Sequence, residues 1–380
     1  MEKALKFYFD IYNYTSSPFK KNLGFHTIDL SKNSPLVSII ILNYNAGKLL
    51  LDCVKSIFDT SHDNFEVIVV DNASSDNSHI KCKEQFNKIL LIENKDNLGY
   101  CEGNNIGIRK ASGEFIIILN PDTIVEPNWI SELLNAYKEN GDGLYQPKIL
   151  SLYEKNILQS TGNMLHLFGF GFARDKGIYD QKKRDKIEQI GYASGTCLFT
   201  SSAVLEKVGL LDPFLFLYHD DLDLGWRAAQ LGIKSFFVPL SVIYHAESYI
   251  LKWSAKKFFW LERNRKYCLL THYSKDTYNK MLPSLILVDI LVWFFYLYKG
   301  FFIAKVKAEL DMIKNKEQIS KKYQELENKK IITDKELVKS FPDDIYVPTN
   351  VSGFTANRLF NSILASLSKR AKRKILSFNN

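Results

Sequence analysis

Short apolar runs alternate with stretches of helical periodicity from residue 36 to residue 137, and polar residues separate them. Apolar runs of about four to eight residues that end at a turn signal are typical of buried strands in a parallel sheet. The pattern therefore predicts an α/β fold with a mostly parallel sheet flanked by helices. The predicted strands are residues 36–42, 65–70, 89–92, 114–119, 236–238 and 242–244, and the predicted helices are residues 49–58, 80–86, 104–110, 128–137 and 204–211.

Small polar side chains follow each of the first four predicted strands. In an open α/β sheet, ligands bind outside the carboxyl ends of the strands, so these side chains are expected to form one polar crevice. The crevice suits a nucleotide, yet the chain lacks the glycine fingerprint of dinucleotide-binding enzymes and the P-loop, so a metal ion would have to offset phosphate charge. The strand-end residues are Asn43, Asn45, Asp71, Asn72, Asn97, Asn120 and Asp122.

Asp122 leaves the fourth predicted strand through a stiff turn, because Pro121 fixes its own φ and restricts Asn120. Its carboxylate and the Asn120 amide suit a hard divalent cation, although ordinary turn chemistry accounts for them equally well. His245 follows the last predicted strand. A single histidine is more often structural, but imidazole is acceptable to Mn²⁺ beside oxygen ligands, so His245 is a second candidate ligand.

Three aspartates, Asp220, Asp221 and Asp223, lie within four positions at the start of another predicted helix. Negative charge is favourable at a helix N-terminus, so capping explains part of this cluster. Carboxylates packed together also repel one another, which raises the pKa of at least one toward the range that a general base needs. The cluster is therefore interpreted as catalytic. Residues 150–190 are expected to be an irregular loop that contacts an acceptor.

The composition narrows the classes of function. A hydrophobic share of 46% is sufficient for a packed core. The net charge of +8 suits nucleotide diphosphates or acidic lipid and does not by itself indicate nucleic acid. The five cysteines are scattered without a Cys-x-x-Cys motif, which favours reduced thiols over a disulfide framework or a zinc site. Residues 1–34 are interpreted as a leader without the pattern of a signal peptide.

Together, these motifs resemble a family 2 glycosyltransferase of the GT-A fold, closest to the rhamnosyltransferase-like branch. The resemblance covers about residues 35–275, which we take as the catalytic domain. Several ordered motifs at the expected separations make it specific for the family, and it is weaker for the branch. The matching residues are 37–45, 69–76, 93–94, 97–99, 103–105, 119–123, 195–196 and 216–224.

The resemblance implies a role for each candidate residue. Asp122 would bind Mn²⁺ or Mg²⁺ as the metal-binding aspartate of an Asp-x-Asp-type motif, with His245 as a further ligand. Asp221 would be the general base, with Asp220 as the alternative. The nucleotide pocket would comprise Asn43, Asn45, Asp71, Asn72, Asn97, Gly99, Asn104 and Asn120. Asn120 replaces the first aspartate of the strict motif, which leaves open how strongly the cation is held. Asp220 replaces the usual glutamate, which leaves open which of Asp220 and Asp221 is the base.

The activity implied is inverting, metal-dependent transfer of a sugar, rhamnose among the options, from a nucleotide-diphosphate donor to a hydroxyl of a glycan. A nucleotidyltransferase of the same fold is an alternative, but it would need a glycine-rich, basic loop after the first strand, which residues 43–47 are not. A non-catalytic scaffold is a further alternative, and the acidic cluster and Asp122 weigh against it.

Residues 276–380 are expected to be a helical region that associates with a membrane. Residues 285–306 are aromatic and apolar, but Asp289 and Lys299 interrupt them and basic residues flank both sides, so they are predicted to lie in the interface rather than to span it. A helix buried against the catalytic domain or in a dimer is the alternative. Residues 358–376, with one apolar face and a basic end, predict a second anchor for anionic lipid. These features favour the cytoplasmic face of a membrane and a lipid-linked acceptor.

Overall fold

The computed structural model describes residues 34–247, 254–345 and 354–377. A mixed sheet of ten strands lies at its centre, flanked by helices, which confirms the predicted α/β class. The predicted leader lies outside the described residues except for Ser34. The strands are β1 (Val37–Asn43), β2 (Phe65–Asp71), β3 (Leu90–Glu93), β4 (Phe115–Leu119), β5 (Thr123–Val125), β6 (Gly143–Ser151), β7 (Leu158–Ser160), β8 (Asn163–Leu165), β9 (Gly171–Ala173), β10 (Glu188–Ile190), β11 (Cys197–Ser201) and β12 (Lys234–His245).

The helices of the described residues flank the sheet in the first part of the chain and follow one another in the last part. The helices predicted for the α/β part are all present, and the largest difference is at α3, predicted to begin at residue 104 and observed from Gly99. The helices are α1 (Lys48–Phe58), α2 (Ser78–Gln85), α3 (Gly99–Lys110), α4 (Trp129–Asn140), α5 (Ser202–Val208), α6 (Asp220–Gln230), α7 (Ala255–His272), α8 (Lys275–Tyr298), α9 (Phe302–Lys314), α10 (Lys316–Lys329), α11 (Asp334–Ser340) and α12 (Phe354–Leu376).

β3, β2, β1 and β4 are parallel neighbours, and their carboxyl ends form one edge of the sheet. β1 and β4 are buried along their whole length, which explains their continuous runs of apolar residues. The register pairs Asn43 with Asp71, and Asp71 with Glu93. The polar residues that follow these strands therefore meet at the same edge, as the sequence predicts.

The other half of the sheet brings distant residues back to this edge. β11 runs antiparallel to β4, with Cys197 opposite Leu119, and β6 and β12 follow as a parallel pair. The sequence predicted two strands at residues 236–238 and 242–244, but β12 is one strand with a register shift between Val238 and Val242. β5 pairs antiparallel with the end of β12, so Thr123 lies opposite His245.

Residues 150–190 are not the wholly irregular loop that the sequence predicted. They contain four strands. β7 pairs antiparallel with β6, β8 and β9 form a hairpin, and β10 pairs with β12. Each of these four strands is only three residues long. An alternation over three residues is too short to stand out from chance, which is why the sequence pattern missed them.

The helices after β12 belong to the same compact unit as the sheet, Leu36–Asn380, and residue 275, the predicted end of the catalytic domain, is the first residue of α8. A buried ion network joins three of these helices. Lys305 of α9 is fully buried, and its Nζ lies 2.5 Å from Glu262 of α7, 2.8 Å from Asp289 of α8 and 2.7 Å from Glu309. Three carboxylates around one ammonium hold the helices in a fixed register.

The apolar face of α12 is covered by protein, which contradicts its predicted role as a second membrane anchor. Leu364, Leu367, Ala371 and Ile375 are all buried. Their helix packs against α8 and α11. An amphipathic pattern shows only that one face avoids water, and in α12 that face is satisfied by the protein core. Leu359, near the start of the helix, is 65% exposed.

Candidate active site

Buried hydrogen bonds join the ends of β1 and β2. Asn43 Nδ2 donates to Asp71 Oδ1 (2.7 Å) and to Ser78 Oγ (2.9 Å), and the second carboxylate oxygen of Asp71 accepts from the backbone N–H of Ser74 (2.8 Å). Asn43 and Asp71 are both buried. These two predicted nucleotide-binding residues therefore fix the loop between β2 and α2, which forms one wall of the predicted pocket.

The same edge continues through Asn72 and Asn97. Asn72 is buried, and its Nδ2 donates to the carbonyl oxygen of Gly99 (2.9 Å), whereas Asn97 is exposed and its Oδ1 accepts from the Gly99 N–H (2.9 Å). Asn45 is also exposed, and its Oδ1 accepts from the Ser75 N–H (2.8 Å). Of the predicted nucleotide-binding residues, Asn45 and Asn97 are thus the most accessible to a ligand.

Gly99 and Asn104 have packing contacts that the sequence did not predict. Asn104 is fully buried, and its Nδ2 donates to the Tyr100 carbonyl inside α3 (2.9 Å). Gly99 has φ +81°, and a Cβ there would lie 2.5 Å from the ring of Phe216. A glycine is therefore required for the segment before α6 to approach α3. Gly99 has no side chain, and Asn104 Oδ1 is buried without a hydrogen-bond partner among the described residues.

Asp122 and His245, 123 positions apart, are brought together by the pairing of β5 with β12. The Ala246 N–H donates to the Asp122 carbonyl (2.9 Å), and His245 Nε2 lies 3.2 Å from Asp122 Oδ1. The other ring nitrogen, Nδ1, lies 2.8 Å from Gln159 Oε1, and Gln159 Nε2 donates to the His245 carbonyl (2.8 Å). The two predicted metal ligands are thus adjacent, and Gln159 orients one of them.

The orientation of His245 fits a cation site. Because Gln159 Oε1 can only accept, His245 Nδ1 must donate, so the lone pair of a neutral imidazole sits on Nε2 and faces the Asp122 carboxylate. Two acceptors pointed at each other repel unless a proton or a metal ion lies between them. A histidine whose second ring nitrogen donates to an oxygen is the usual arrangement of a metal-binding imidazole. No pattern in the sequence indicated Gln159, which lies in β7, a strand that was not predicted.

The acidic pair sits at the N-terminus of α6, after a loop with unusual backbone geometry. Phe216, Tyr218 and His219 have φ values of 62°, 68° and 61°, a region that residues with a Cβ rarely adopt. Asp221 is held by two backbone N–H groups: Gly195 donates to Oδ2 (3.0 Å) and Leu222 to Oδ1 (2.8 Å). Strained backbone of this kind persists where the surrounding structure holds it, often at functional sites.

The two carboxyl groups of the pair differ in their electrostatics. Burial, then the neighbouring Asp221, raises the pKa of Asp220 well above its ordinary value. Burial also raises the pKa of Asp221, but the N–H groups of Gly195 and Leu222 stabilise its carboxylate and oppose the shift. The first proton that the pair binds therefore resides on Asp220, and Asp221 carries the negative charge.

Asp223, the third aspartate of the cluster, is structural. It is fully buried between Arg227 (2.8 Å) and His272 Nε2 (2.9 Å). Burial alone would raise the pKa of Asp223, but these two partners together hold it well below its ordinary value. The sequence grouped three aspartates as catalytic, and the structure separates this one because the turn of the helix points it into the core.

Gly195 and Thr196 connect the acidic pair with the end of β4. The Thr196 carbonyl accepts from the Asn120 N–H (3.0 Å), and Gly195 donates to Asp221. Tyr100 Oη donates to the Gly195 carbonyl (2.6 Å). The segment that carries Asp122 and the helix that carries Asp221 therefore flank the same two residues, which the sequence identified as a matching motif.

The geometry agrees with the relatives of this chain. Residues 38–209 match the model of glycosyl transferase family 2, so this segment is a domain of that family. The chain is 28% identical to the low-salt glycan biosynthesis hexosyltransferase Agl10 of Haloferax volcanii, over 52% of this chain and 63% of that protein. It is 24% identical to an N-acetylglucosaminyl-diphospho-decaprenol L-rhamnosyltransferase of Mycobacterium tuberculosis, over 56% of this chain and 77% of that protein. The chain thus spans less than two thirds of the Haloferax relative.

The fold is shared with a solved glycosyltransferase. The crystal structure of GalNAc-T7 with UDP, GalNAc and Mn²⁺ aligns with a TM-score of 0.55 and 18% identity, and the alignment covers 67% of this chain and 51% of that chain. This likeness confirms the predicted GT-A fold. The family assignment likewise confirms the resemblance on which the sequence prediction rested.

A change at Asp220 should stabilise the protein in a pH-dependent way. Because folding raises the pKa of Asp220, its favourable contribution is present at low pH and is lost as the pH rises through the raised pKa. Asp220→Asn keeps a neutral group of the same shape and removes this loss. The free energy of unfolding should rise by more than about 1 kcal/mol at pH 8 and stay nearly unchanged at pH 4. Denaturant titrations at the two pH values test this, and an equal change at both contradicts it.

Proposed function

We propose that this chain is an inverting, metal-dependent glycosyltransferase that moves a sugar from a nucleotide-diphosphate donor to a hydroxyl group of a glycan. The observation that carries the proposal is the placement of the Asp122–His245 pair and the Asp220–Asp221 pair on either side of Gly195 and Thr196. A cation-binding group and a proton-accepting group are the two functions that such a transfer needs.

The donor would lie along the polar edge of the parallel strands. The exposed amides of Asn45 and Asn97 are available to the nucleoside, and Asn43, Asp71 and Asn72 hold the loops that carry them. Asp122 and His245 would hold Mn²⁺ or Mg²⁺, which supplies a Lewis acid that offsets the charge of the departing diphosphate. Gln159 keeps Nε2 of His245 free for that role.

The acceptor would be activated at Asp221. Its carboxylate is fixed by Gly195 and Leu222, so it can take the proton of an acceptor hydroxyl in a defined direction. The hydroxyl oxygen then bonds to the anomeric carbon from the face opposite the diphosphate, whose bond breaks through an oxocarbenium-like transition state. Attack from the opposite face inverts the anomeric configuration. Asp220 stays protonated and keeps the pair at a single negative charge.

The relatives support a lipid-linked glycan as acceptor and a hexose such as rhamnose as one possible donor sugar. The Mycobacterium relative is named for a rhamnosyl transfer to a diphospho-decaprenol sugar, and the Haloferax relative for hexosyl transfer in glycan biosynthesis. All five cysteines are free and buried, which fits a protein that stays in a reducing compartment at the cytoplasmic face of a membrane. Nothing in the proposed activity requires nucleic acid.

A panel of nucleotide sugars, each with and without Mn²⁺, tests the enzymatic proposal. Hydrolysis or transfer of one donor, dependent on the cation, is the expected result. Release of inorganic diphosphate from a nucleoside triphosphate and a sugar phosphate would instead indicate the nucleotidyltransferase alternative. Binding without turnover of any donor would indicate a scaffold. The buried carboxyl pair weighs against a scaffold, because burying two carboxyl groups costs stability and a scaffold would not need them.

Exposed apolar side chains on α8 and α9 support association with a membrane surface. The opposite face of α8 is buried in the protein, and its Asp289 pairs with Lys305. Lys275–Tyr298 is, among the described helices, the one long and apolar enough to cross a membrane, but a helix with one face inside the protein fits the interface better. The apolar ridge consists of Ile286, Leu287, Ile290, Phe294, Leu297, Tyr298, Phe302, Ile303, Leu310 and Ile313.

Two charges on the apolar ridge should detach the protein from lipid. Phe294 and Ile303 are 66% and 68% exposed, so Phe294→Glu combined with Ile303→Glu should leave the fold intact. Loss of two inserted side chains should weaken binding to vesicles of neutral and anionic phospholipid by about 10-fold or more. Co-sedimentation measures this, with Leu240→Glu, also 68% exposed but on β12, as the control. Equal binding by both variants, or a dimer that dissociates on mutation of the ridge, would exclude the membrane role.

A further inference from the structure

The loop that leads into the acidic pair is held in place by a helix outside the residues that match the family model. Phe216, Tyr218 and His219 all have positive φ values, and none of them is glycine. Each such residue costs of the order of 1 kcal/mol or more, so the loop needs external contacts to stay in this conformation. The family match ends at residue 209, before this loop begins.

Asn264 of α7 supplies those contacts. Its side chain is fully buried, and Nδ2 lies 2.9 Å from the Leu215 carbonyl, 2.9 Å from the Leu217 carbonyl and 2.8 Å from the Tyr218 carbonyl. One amide group thus gathers three carbonyl oxygens of the loop, and the last of them is two residues before Asp220. The two hydrogens of the NH₂ group are shared among these acceptors.

The amide is itself fixed from its other side. Asn264 Oδ1 accepts from Arg263 Nη1 (2.8 Å), and the same Nη1 donates to the Phe214 carbonyl (2.5 Å). Arg263 Nε is anchored by Asp311 of α9 (2.9 Å). The direction of the Asn264 NH₂ group is therefore set, because an arginine can only donate and so must face the oxygen of the amide.

The loop also contacts α3 and the indole ring of Trp260, which lies on α7. The Tyr100 N–H donates to the Phe216 carbonyl (2.6 Å), and the Phe216 ring stacks on Trp260 with a centroid distance of 5.0 Å. Tyr100 also bonds Gly195, which bonds Asp221. Displacement of the loop would therefore shift the acidic pair relative to the residues that flank it.

We infer that Asn264 is a positioning residue, which fixes the loop carbonyls and thereby the place of Asp221 over the acceptor hydroxyl. The effect of Asn264 on catalysis rests on the proposed function. Through Asn264, α7 becomes part of the structure that positions the catalytic residues. Asn264 touches neither the proposed donor residues nor the cation pair. Its removal should lower kcat and leave donor affinity unchanged.

Three variants separate positioning from general stability. Asn264→Leu removes the donor, Asn264→Asp keeps the shape but replaces the NH₂ group by an acceptor, and Asn264→Ser keeps one donor. Gln230→Leu is the matched control, since Gln230 is another buried amide that donates to a backbone carbonyl, that of His272 (2.8 Å), at the far end of α6. A displacement of about 1 Å at the base costs roughly 10²-fold in rate.

The measurements are kcat and KM for the donor found by the panel, and hydrogen exchange of peptides that span residues 212–223. For Asn264→Leu and Asn264→Asp we expect a kcat loss of roughly 10²-fold, an unchanged KM, and faster exchange confined to this loop, and for Asn264→Ser a partial recovery. Gln230→Leu should lower the melting temperature without these changes. Unchanged loop exchange, or kcat losses that match the control at equal melting temperature, would overturn the inference. If no donor is turned over by the wild type, the proposed function fails, and the exchange data still decide whether Asn264 holds the loop.

Discussion

Asp221→Asn is expected to abolish sugar transfer, with a loss of roughly 10²- to 10⁴-fold in kcat, while Asp220→Asn should lose at most about 10-fold. The reason is the unequal protonation of the pair. Asp221 keeps its charge because two backbone N–H groups stabilise it, whereas burial keeps the proton on Asp220. Asparagine mimics a protonated carboxyl group and cannot replace a charged one. Binding of UDP or another donor nucleotide with Mn²⁺ should be unaffected in both variants.

The comparison needs a pH profile as well as a rate. Because burial raises the pKa of Asp221, activity should rise as the pH increases through that pKa, and Asp220→Asn should leave the rise at the same pH, since Asp220 is already neutral while Asp221 ionises. A larger loss of kcat for Asp220→Asn than for Asp221→Asn would reverse the two roles. Similar, small losses for both would remove the pair from the chemistry.

The sequence predicted the strand edge well because its signal is local. β1 and β4 are buried on both faces, so their apolar runs are continuous and end where the polar edge begins. It could not predict Gln159, which touches His245 only because β7 and β12 flank the same strand, β6. Pairings between strands that are distant in sequence leave no periodic trace in either strand. Ligand chemistry and the resemblance both suggested His245 as a partner of Asp122, but no periodic pattern in the sequence pairs the two residues.

The C-terminal helices show a second limit of prediction from sequence. The apolar run of α8 and the apolar face of α12 were both interpreted as lipid-facing. In the structure, Leu364 and Ile375 of α12 are buried against protein, while Phe294 and Leu297 of α8 are more than half exposed. Amphipathicity predicts that a face is covered and does not say what covers it. That difference depends on which helices pack together, which is a tertiary property.

Asp122→Asn and His245→Ala should each remove most of the metal-dependent activity. A neutral amide in place of the carboxylate, or a methyl group in place of the imidazole, deletes one of the two proposed ligands, whose nearest atoms are 3.2 Å apart. The expected result is a loss of kcat of roughly 10²-fold or more, since the diphosphate would depart without its charge being offset. Excess Mn²⁺ should restore part of the activity, because the remaining ligand still binds weakly.

Gln159→Leu should have an intermediate effect on metal binding. It keeps the two ligands and removes only the acceptor that orients His245, so the concentration of Mn²⁺ for half-maximal activity should rise by about 10- to 100-fold while kcat at saturating Mn²⁺ changes little. Asp52→Asn is the matched control, since Asp52 lines the same cleft of about 360 Å³ as Asp122 and pairs only with the exposed Lys48 in the ion pairs of the described residues. Direct titration of Mn²⁺ by electron paramagnetic resonance should show the same order of affinities, wild type and Asp52→Asn first, Gln159→Leu next, and the two ligand variants last. Equal Mn²⁺ binding by all five proteins would mean that the cation is held elsewhere and that His245 and Asp122 face each other through a shared proton.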